Sequence, residues 1–223
     1  MSAGRALVVE KDSGCGQLTR MTNNIYFVIV VSMTGRTHDL AAFTALNFIL
    51  VTQPLTKMTL ATALVAFSMN MVGGLAPDLD QPTSGLYNRV RAGSFIGKII
   101  SPLFGGHRFI SHSILGVVLI AFALEFILGV VGRVLIVDME IVWWAFMIGF
   151  VSHLIMDMFT RDGVPLLFPI PIKFGFPPLR ALRISTGGVI EKSFIFPALL
   201  IINGYLIYTN YQKILDFLKE YLK

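Results

Sequence analysis

Cysteine is nearly absent. Cys15 stands alone among 223 residues, which excludes an intramolecular disulfide framework. Charge is scarce too: 14% of residues are charged, against about 25% in soluble domains, so much of the usual solvating surface is missing. No dense basic tract occurs, so the net charge of +5 suits anionic lipid headgroups, and no nucleic acid partner is expected. No apolar core follows a basic start in residues 1–24, where Glu10, Lys11 and Asp12 intervene, and no secretory leader is expected there. What is abundant is apolar: 55% of residues are hydrophobic, which reads as an integral membrane protein of one domain.

Apolar runs long enough to cross a bilayer core of about 30 Å are expected at Thr59–Leu75, His112–Gly132, Ile141–Phe159 and Ser193–Thr209. Leu40–Val51 is short and reads as a half-buried or tilted helix, and 24–33 as a short strand or interfacial segment. The fold class expected is all-α: a polytopic helical membrane protein with about four transmembrane helices plus one short or half-buried helix. Three parts follow: an N-terminal extension 1–34, a helical membrane domain 35–210, and a tail 211–223 whose leucines and lysines alternate at helical spacing, as in an interfacial amphipathic helix. No internal repeat or low-complexity tract is present.

Laid down alternately, the helices put loops 76–111 and 160–192 and the N-terminal extension on one membrane face. Thirteen of the 18 lysines and arginines fall on that face, which makes it the cytoplasmic one by the positive-inside rule. The inner membrane is the expected location.

The same face collects the histidines. All four, His38, His107, His112 and His153, belong to it, as does the acidic pair of "PDLD", Asp78 and Asp80. In "GFVSHLIMDMFTRDGVP", His153 and Asp157 are four apart and share a helix face, about 5–6 Å between Cβ atoms. An extended Asp78-Leu79-Asp80 would aim both carboxylates one way, where like charges repel unless a cation lies between them. His38 is expected just before the first helix, and His112 in the first turn of a later one, where the helix dipole favours the neutral, metal-binding imidazole. Singly, each residue reads as a packed histidine, a buried acceptor or a turn cap. Together they are costly to bury without compensation. Such a ligand set suits zinc, with manganese or magnesium as alternatives. The expected ligands are Asp78, Asp80, His112, His153 and Asp157, with His38 and His107 completing the shell or acting as general acid or base. Arg108, Arg161 and Arg183 are candidates to hold a substrate phosphate beside the metal. Glu125 is too far along its helix for this site and is expected to be protonated or paired with Asn70 or Asn203.

"LAPDLDQPTS", "GHRFISHSILG" and "GFVSHLIMDMFTRDGVPLLFP", in this order, resemble the YdjM-like family of membrane-bound metal-dependent hydrolases over roughly 38–192. The resemblance implies functional weight on His38, Asp78, Asp80, His107, Arg108, His112, His153 and Asp157. It also places Glu191 where the family often has an acidic residue. Gln81 is a departure, since the family often has histidine there. More distantly, the helical His-x-x-x-Asp is similar to the zinc-dependent phospholipase C and P1 nuclease fold. A site opening at headgroup depth, with a metal-activated water, is expected to hydrolyse a phosphoester in an amphiphilic substrate such as a phospholipid or polyprenyl phosphate. The alternatives are a metal-ion or proton transporter, which would use Glu125, and a non-catalytic scaffold that a metal ties together.

Overall fold

The computed structural model describes residues 35–53, 58–80, 110–170 and 172–221, excluding the side chains of Leu79 and Asp80. Every regular element among them is helical. The elements are α1 (35–52), α2 (Leu60–Leu75) with a 3₁₀ turn Ala76–Asp80, α3 (Ile114–Val131), α4 (Met139–Met158), α5 (Phe196–Thr209) and α6 (Tyr211–Tyr221). A 3₁₀ turn Arg180–Leu182 interrupts the long connection, and a π-turn Glu191–Ile195 leads into α5. Four stretches are long and apolar enough to cross a membrane: Leu60–Asp78, Ile114–Val131, Met139–Met158 and Glu191–Thr209. The expected spans agree to within a few residues. The first helix does not, because it is already helical at 35, ahead of Leu40, and so carries His38 within it. The segment 24–33 lies outside the described residues.

Two helices form the spine. α2 and α4 run side by side in the same direction. Asp138 N–H donates to Thr62 Oγ1 (3.1 Å), and Asn70 Nδ2 donates to Ala145 O (2.9 Å) eight residues further on. They approach closely because small residues face each other: Gly73 lies against Phe146 O, and Gly149 against Asn70 O and Gly74 N. Lipid gives no hydrophobic drive between helices, so such close backbone packing supplies the association. Val142, Phe146, Phe150 and Leu154 of α4 form the core beneath it, with Leu124 and Leu128 of α3. The outer faces of α3 and α5 stay apolar and exposed; Phe126 is 75% and Ile201 72% exposed, as lipid-facing positions should be.

A polar clasp fastens α5 to α1. Asn203 Nδ2 donates to Thr44 Oγ1 (2.6 Å), and Asn47 Nδ2 to Asn203 Oδ1 (3.3 Å). Asn70 and Asn203 are therefore spent inside the bundle, and Glu125 is exposed on α3; the expected pairing with either asparagine is not formed. At the far end, α6 docks under the bundle: Lys213 Nζ donates to Val51 O (2.8 Å) and Gln53 O (2.6 Å), and Tyr221 O–H to Met58 O (2.7 Å). A lysine on the last carbonyls of α1 satisfies groups that the helix leaves unpaired.

The connection after α4 folds over the other end. Phe176 N–H donates to Met158 O (2.8 Å) and Ile184 N–H to Phe159 O (3.0 Å), closing the exposed carbonyls of α4. Ile114 N–H donates to Leu166 O (3.0 Å), tying the start of α3 to the same connection. The starts of α1, α3 and α5 and the ends of α2 and α4 thus meet beneath it.

Candidate metal centre

His153 lies one turn before the end of α4, and its ring orientation is dictated by α2. Pro77 has no N–H to give Gly73 O, which takes the Ala76 N–H instead as α2 tightens into a 3₁₀ turn. Gly74 O meanwhile accepts from His153 Nδ1–H at 2.6 Å. A carbonyl only accepts, so Nδ1 carries a proton, and in the neutral ring the lone pair is then on Nε2. That Nε2 is buried and makes no hydrogen bond. Its neighbours are Asp78 Oδ1 at 3.7 Å and Asp157 Oδ2 at 3.8 Å.

Asp157, one turn later and buried, presents its two oxygens to different histidines. Oδ1 lies 3.4 Å from His38 Nε2 and Oδ2 lies 3.4 Å from His112 Nε2. The His38 ring stacks on that of His153, centroids 4.2 Å apart, and His112 meets His153 edge-on at 5.6 Å. His112 stands just before Ser113, the N-cap of α3, rather than in its first turn; its Nδ1 is 2.8 Å from Ser111 Oγ.

These separations bear on two readings. Imidazolium–carboxylate hydrogen bonds would close to about 2.7–2.9 Å, and none of the four contacts does. Ligands about 2.0–2.1 Å from a tetrahedral zinc ion stand roughly 3.3 Å apart, near the shorter two. Charge agrees with the second reading: burial, and then the neighbouring His153, hold the His38 pKa down to about 4, so this imidazole is neutral as a metal ligand must be. Two overlapping groups could hold an ion, His38–His153–Asp157 and Asp78–His112–His153. Since His153 offers only Nε2, it serves one of them at a time. The orphaned Nε2, with the Gly74 carbonyl fixing the ring behind it, leaves a group of side chains that could hold a metal ion.

The other expected residues are placed differently. His107 and Arg108 lie outside the described residues, as does the side chain of Asp80. The segment carrying Asp78 and Asp80 is a 3₁₀ turn and not extended, so the geometric reason for pairing those carboxylates does not hold. Arg183 donates from Nε to Pro177 O (2.8 Å) and from Nη2 to Pro178 O (3.1 Å), organising the connection instead of facing the cluster. Arg161 is exposed. Ser111 and Gly74 were missed as orienting groups; the adjacency of Ser111 to His112 was the one visible signal.

A family model, the YdjM inner membrane protein, matches residues 33–214. The chain belongs to the YdjM family. Within it, the chain is 31% identical over 163 residues to the uncharacterized protein YvsG of Bacillus subtilis, covering 72% of this chain and 86% of that protein. It is 38% identical over 106 residues to the inner membrane protein YdjM of Escherichia coli, covering 47% of this chain and 50% of that one. No solved structure matches. The match to the YdjM family runs from before His38 to beyond Asn203, so all five clustered residues lie within it.

Ser111 gives the first test. For an ion held through His112 Nε2, Nδ1 carries the proton and donates to Ser111 Oγ. Ser111→Ala is then expected to weaken zinc retention about 10–100-fold with little change in the thermal stability of the chelated protein. Competition against a zinc chelator in detergent measures this; unchanged affinity would remove Ser111 from the centre.

Proposed function

We propose that this protein is a membrane-bound metal-dependent hydrolase, with its centre at the cytoplasmic face and a phosphoester of an amphiphile as substrate. The observation that carries the reading is the buried His153 Nε2, held in its metal-binding tautomer and facing two carboxylates without hydrogen-bonding either. His38, His153 and Asp157 would hold the ion, zinc first and manganese or magnesium as alternatives, with Asp78 and His112 on its other side. A divalent ion bound there supplies Lewis acidity and makes a nucleophile from water near neutral pH. The chain's own groups do the rest. Gly74 O fixes the His153 ring, Asp157 spans the histidines, and the connection 159–184 covers the centre. The centre lies at one end of the apolar spans, which would set it at headgroup depth and suits an amphiphile. Arg108, adjacent to His107, is the remaining candidate for the phosphate.

The transport alternative relied on Glu125, whose exposed position on α3 offers no inward path. The scaffold alternative draws on a different observation, that the cluster joins α1, α2, α3 and α4. Elemental analysis of purified protein, with phosphate release measured over a phospholipid panel before and after chelation, tests the proposal. Bound zinc and chelator-sensitive release are expected. A metal-free protein, or bound metal with no release from any lipid, overturns the hydrolase reading, and the second outcome leaves the scaffold.

A further inference from the structure

The connection between α4 and α5 carries apolar side chains that belong neither to the core nor to a span. Leu167, Ile170, Ile172, Phe176, Leu179 and Leu182 are all exposed, the last two at 67% each. They stand on turns, bends and a short 3₁₀ turn, so no helix stripe or sheet face accounts for them. Soluble surfaces scatter such residues singly; so many in one short connection mark a surface that meets something apolar.

Three backbone hydrogen bonds hold this connection level with the ends of the spans. Ile114 N–H, at the start of α3, donates to Leu166 O (3.0 Å), Phe176 N–H to Met158 O (2.8 Å) and Ile184 N–H to Phe159 O (3.0 Å). Ile114–Val131 and Met139–Met158 are two of the spans, and the connection leads directly into a third, Glu191–Thr209. Its depth is that of the span ends, the interfacial zone, where water and headgroups can still satisfy irregular backbone.

Charge points the same way. From Arg161 to Lys192 there are five basic residues and two acidic ones. Asp162 is answered by Arg180 Nη2 at 3.7 Å. Glu191 is buried and takes the Gly187 N–H at 2.6 Å; Gly187 aims it there from φ 72°, a conformation that glycine adopts without strain. Arg161 and Lys173 are exposed. Apolar side chains interleaved with cations fit the boundary between acyl chains and anionic headgroups. An apolar protein partner would account for the leucines and isoleucines but leave the cations and the depth unexplained.

We propose that this connection is seated in the bilayer surface, its apolar side chains entering the leaflet while Arg161 and Lys173 meet anionic lipid headgroups. The proposal goes beyond the hydrolase reading and does not depend on it.

Spin labels test it in the full chain, reconstituted into vesicles of phosphatidylcholine and phosphatidylglycerol. On a Cys15→Ser background, Ile172→Cys, Leu179→Cys and Leu182→Cys each carry a nitroxide, with Phe126→Cys on the outer face of α3 as the lipid-facing reference. Collision with oxygen, which partitions into lipid, is compared with collision with a water-soluble nickel chelate. All three positions are expected to favour oxygen, as the reference should. Positions that favour nickel would place the connection in water. Positions that neither reagent reaches would place it beneath protein, from this chain or a second copy. Either result overturns the proposal. In the same vesicles, brominated phosphatidylglycerol should quench a fluorophore at Leu182→Cys more than brominated phosphatidylcholine at equal mole fraction. Arg161→Gln combined with Lys173→Gln should remove that difference. Equal quenching with both arginine and lysine in place overturns the anionic preference. Neither readout involves metal or turnover, so failure of the hydrolase reading and failure of this one are distinguishable.

Discussion

Asp157→Asn is expected to abolish metal retention while leaving the chelated protein no less stable than chelated wild type. The carboxylate has one oxygen 3.4 Å from His38 Nε2 and the other 3.4 Å from His112 Nε2, and is 4% exposed. With an ion bound, it would neutralise charge and, together with His38 and His153, supply a ligand oxygen. Without one, it is a buried carboxylate beside His38, whose imidazole is held neutral, and burying a carboxylate is costly. The sign of the substitution therefore depends on the metal. At a free ion concentration 100 times the dissociation constant, wild type gains about 2.7 kcal/mol from binding, and the variant forfeits that gain. Thermal unfolding in detergent, with and without chelator, reads both halves. Wild type should melt lower after chelation and the variant should not respond. A chelator shift of equal size in the two proteins would mean that Asp157 takes no part in holding the ion.

The alternation of the helices, and the end of the bundle where the histidines gather, were legible from the apolar run lengths. His153 and Asp157 were legible as a pair because one helical turn is a local rule. What the chain did not disclose is what crosses between distant segments. The bond from His153 Nδ1 to Gly74 O spans 79 positions, and no local pattern announces a backbone carbonyl as an orienting group. The error at Asp78 is of the opposite kind. Pro77 correctly signals the end of α2, but a proline also permits a 3₁₀ continuation, and here that continuation points Asp78 at His153 without requiring a partner carboxylate. Arg183 looked like a phosphate ligand because free guanidiniums suit phosphates; carbonyls of the proline-rich connection needed the same donors and lie closer. Glu191 was known only through the family pattern, and its meaning depends on Gly187, whose positive φ a sequence does not print.

The largest structural effect is expected at Gly149, which holds no ligand. An added Cβ there would overlap Asn70 O and stand 2.9 Å from Gly74 N. Both obstacles are backbone, so no change of rotamer relieves them, and α2 and α4 must separate along their contact. Overpacking of this kind costs about 1–3 kcal/mol and sometimes more, so Gly149→Ala should lower thermal stability by that amount. It should also loosen the metal, because the displaced segment includes Gly74, whose carbonyl sets the His153 ring. Gly129→Ala is the control: a Cβ at that position of α3 meets nothing within 4 Å, and neither stability nor zinc affinity should change. If the two alanines behave alike, the close approach of α2 and α4 is not what holds the centre together. If Gly149→Ala weakens the fold but leaves zinc affinity intact, the carbonyl of Gly74 is dispensable and the tautomer of His153 is set by the ion itself.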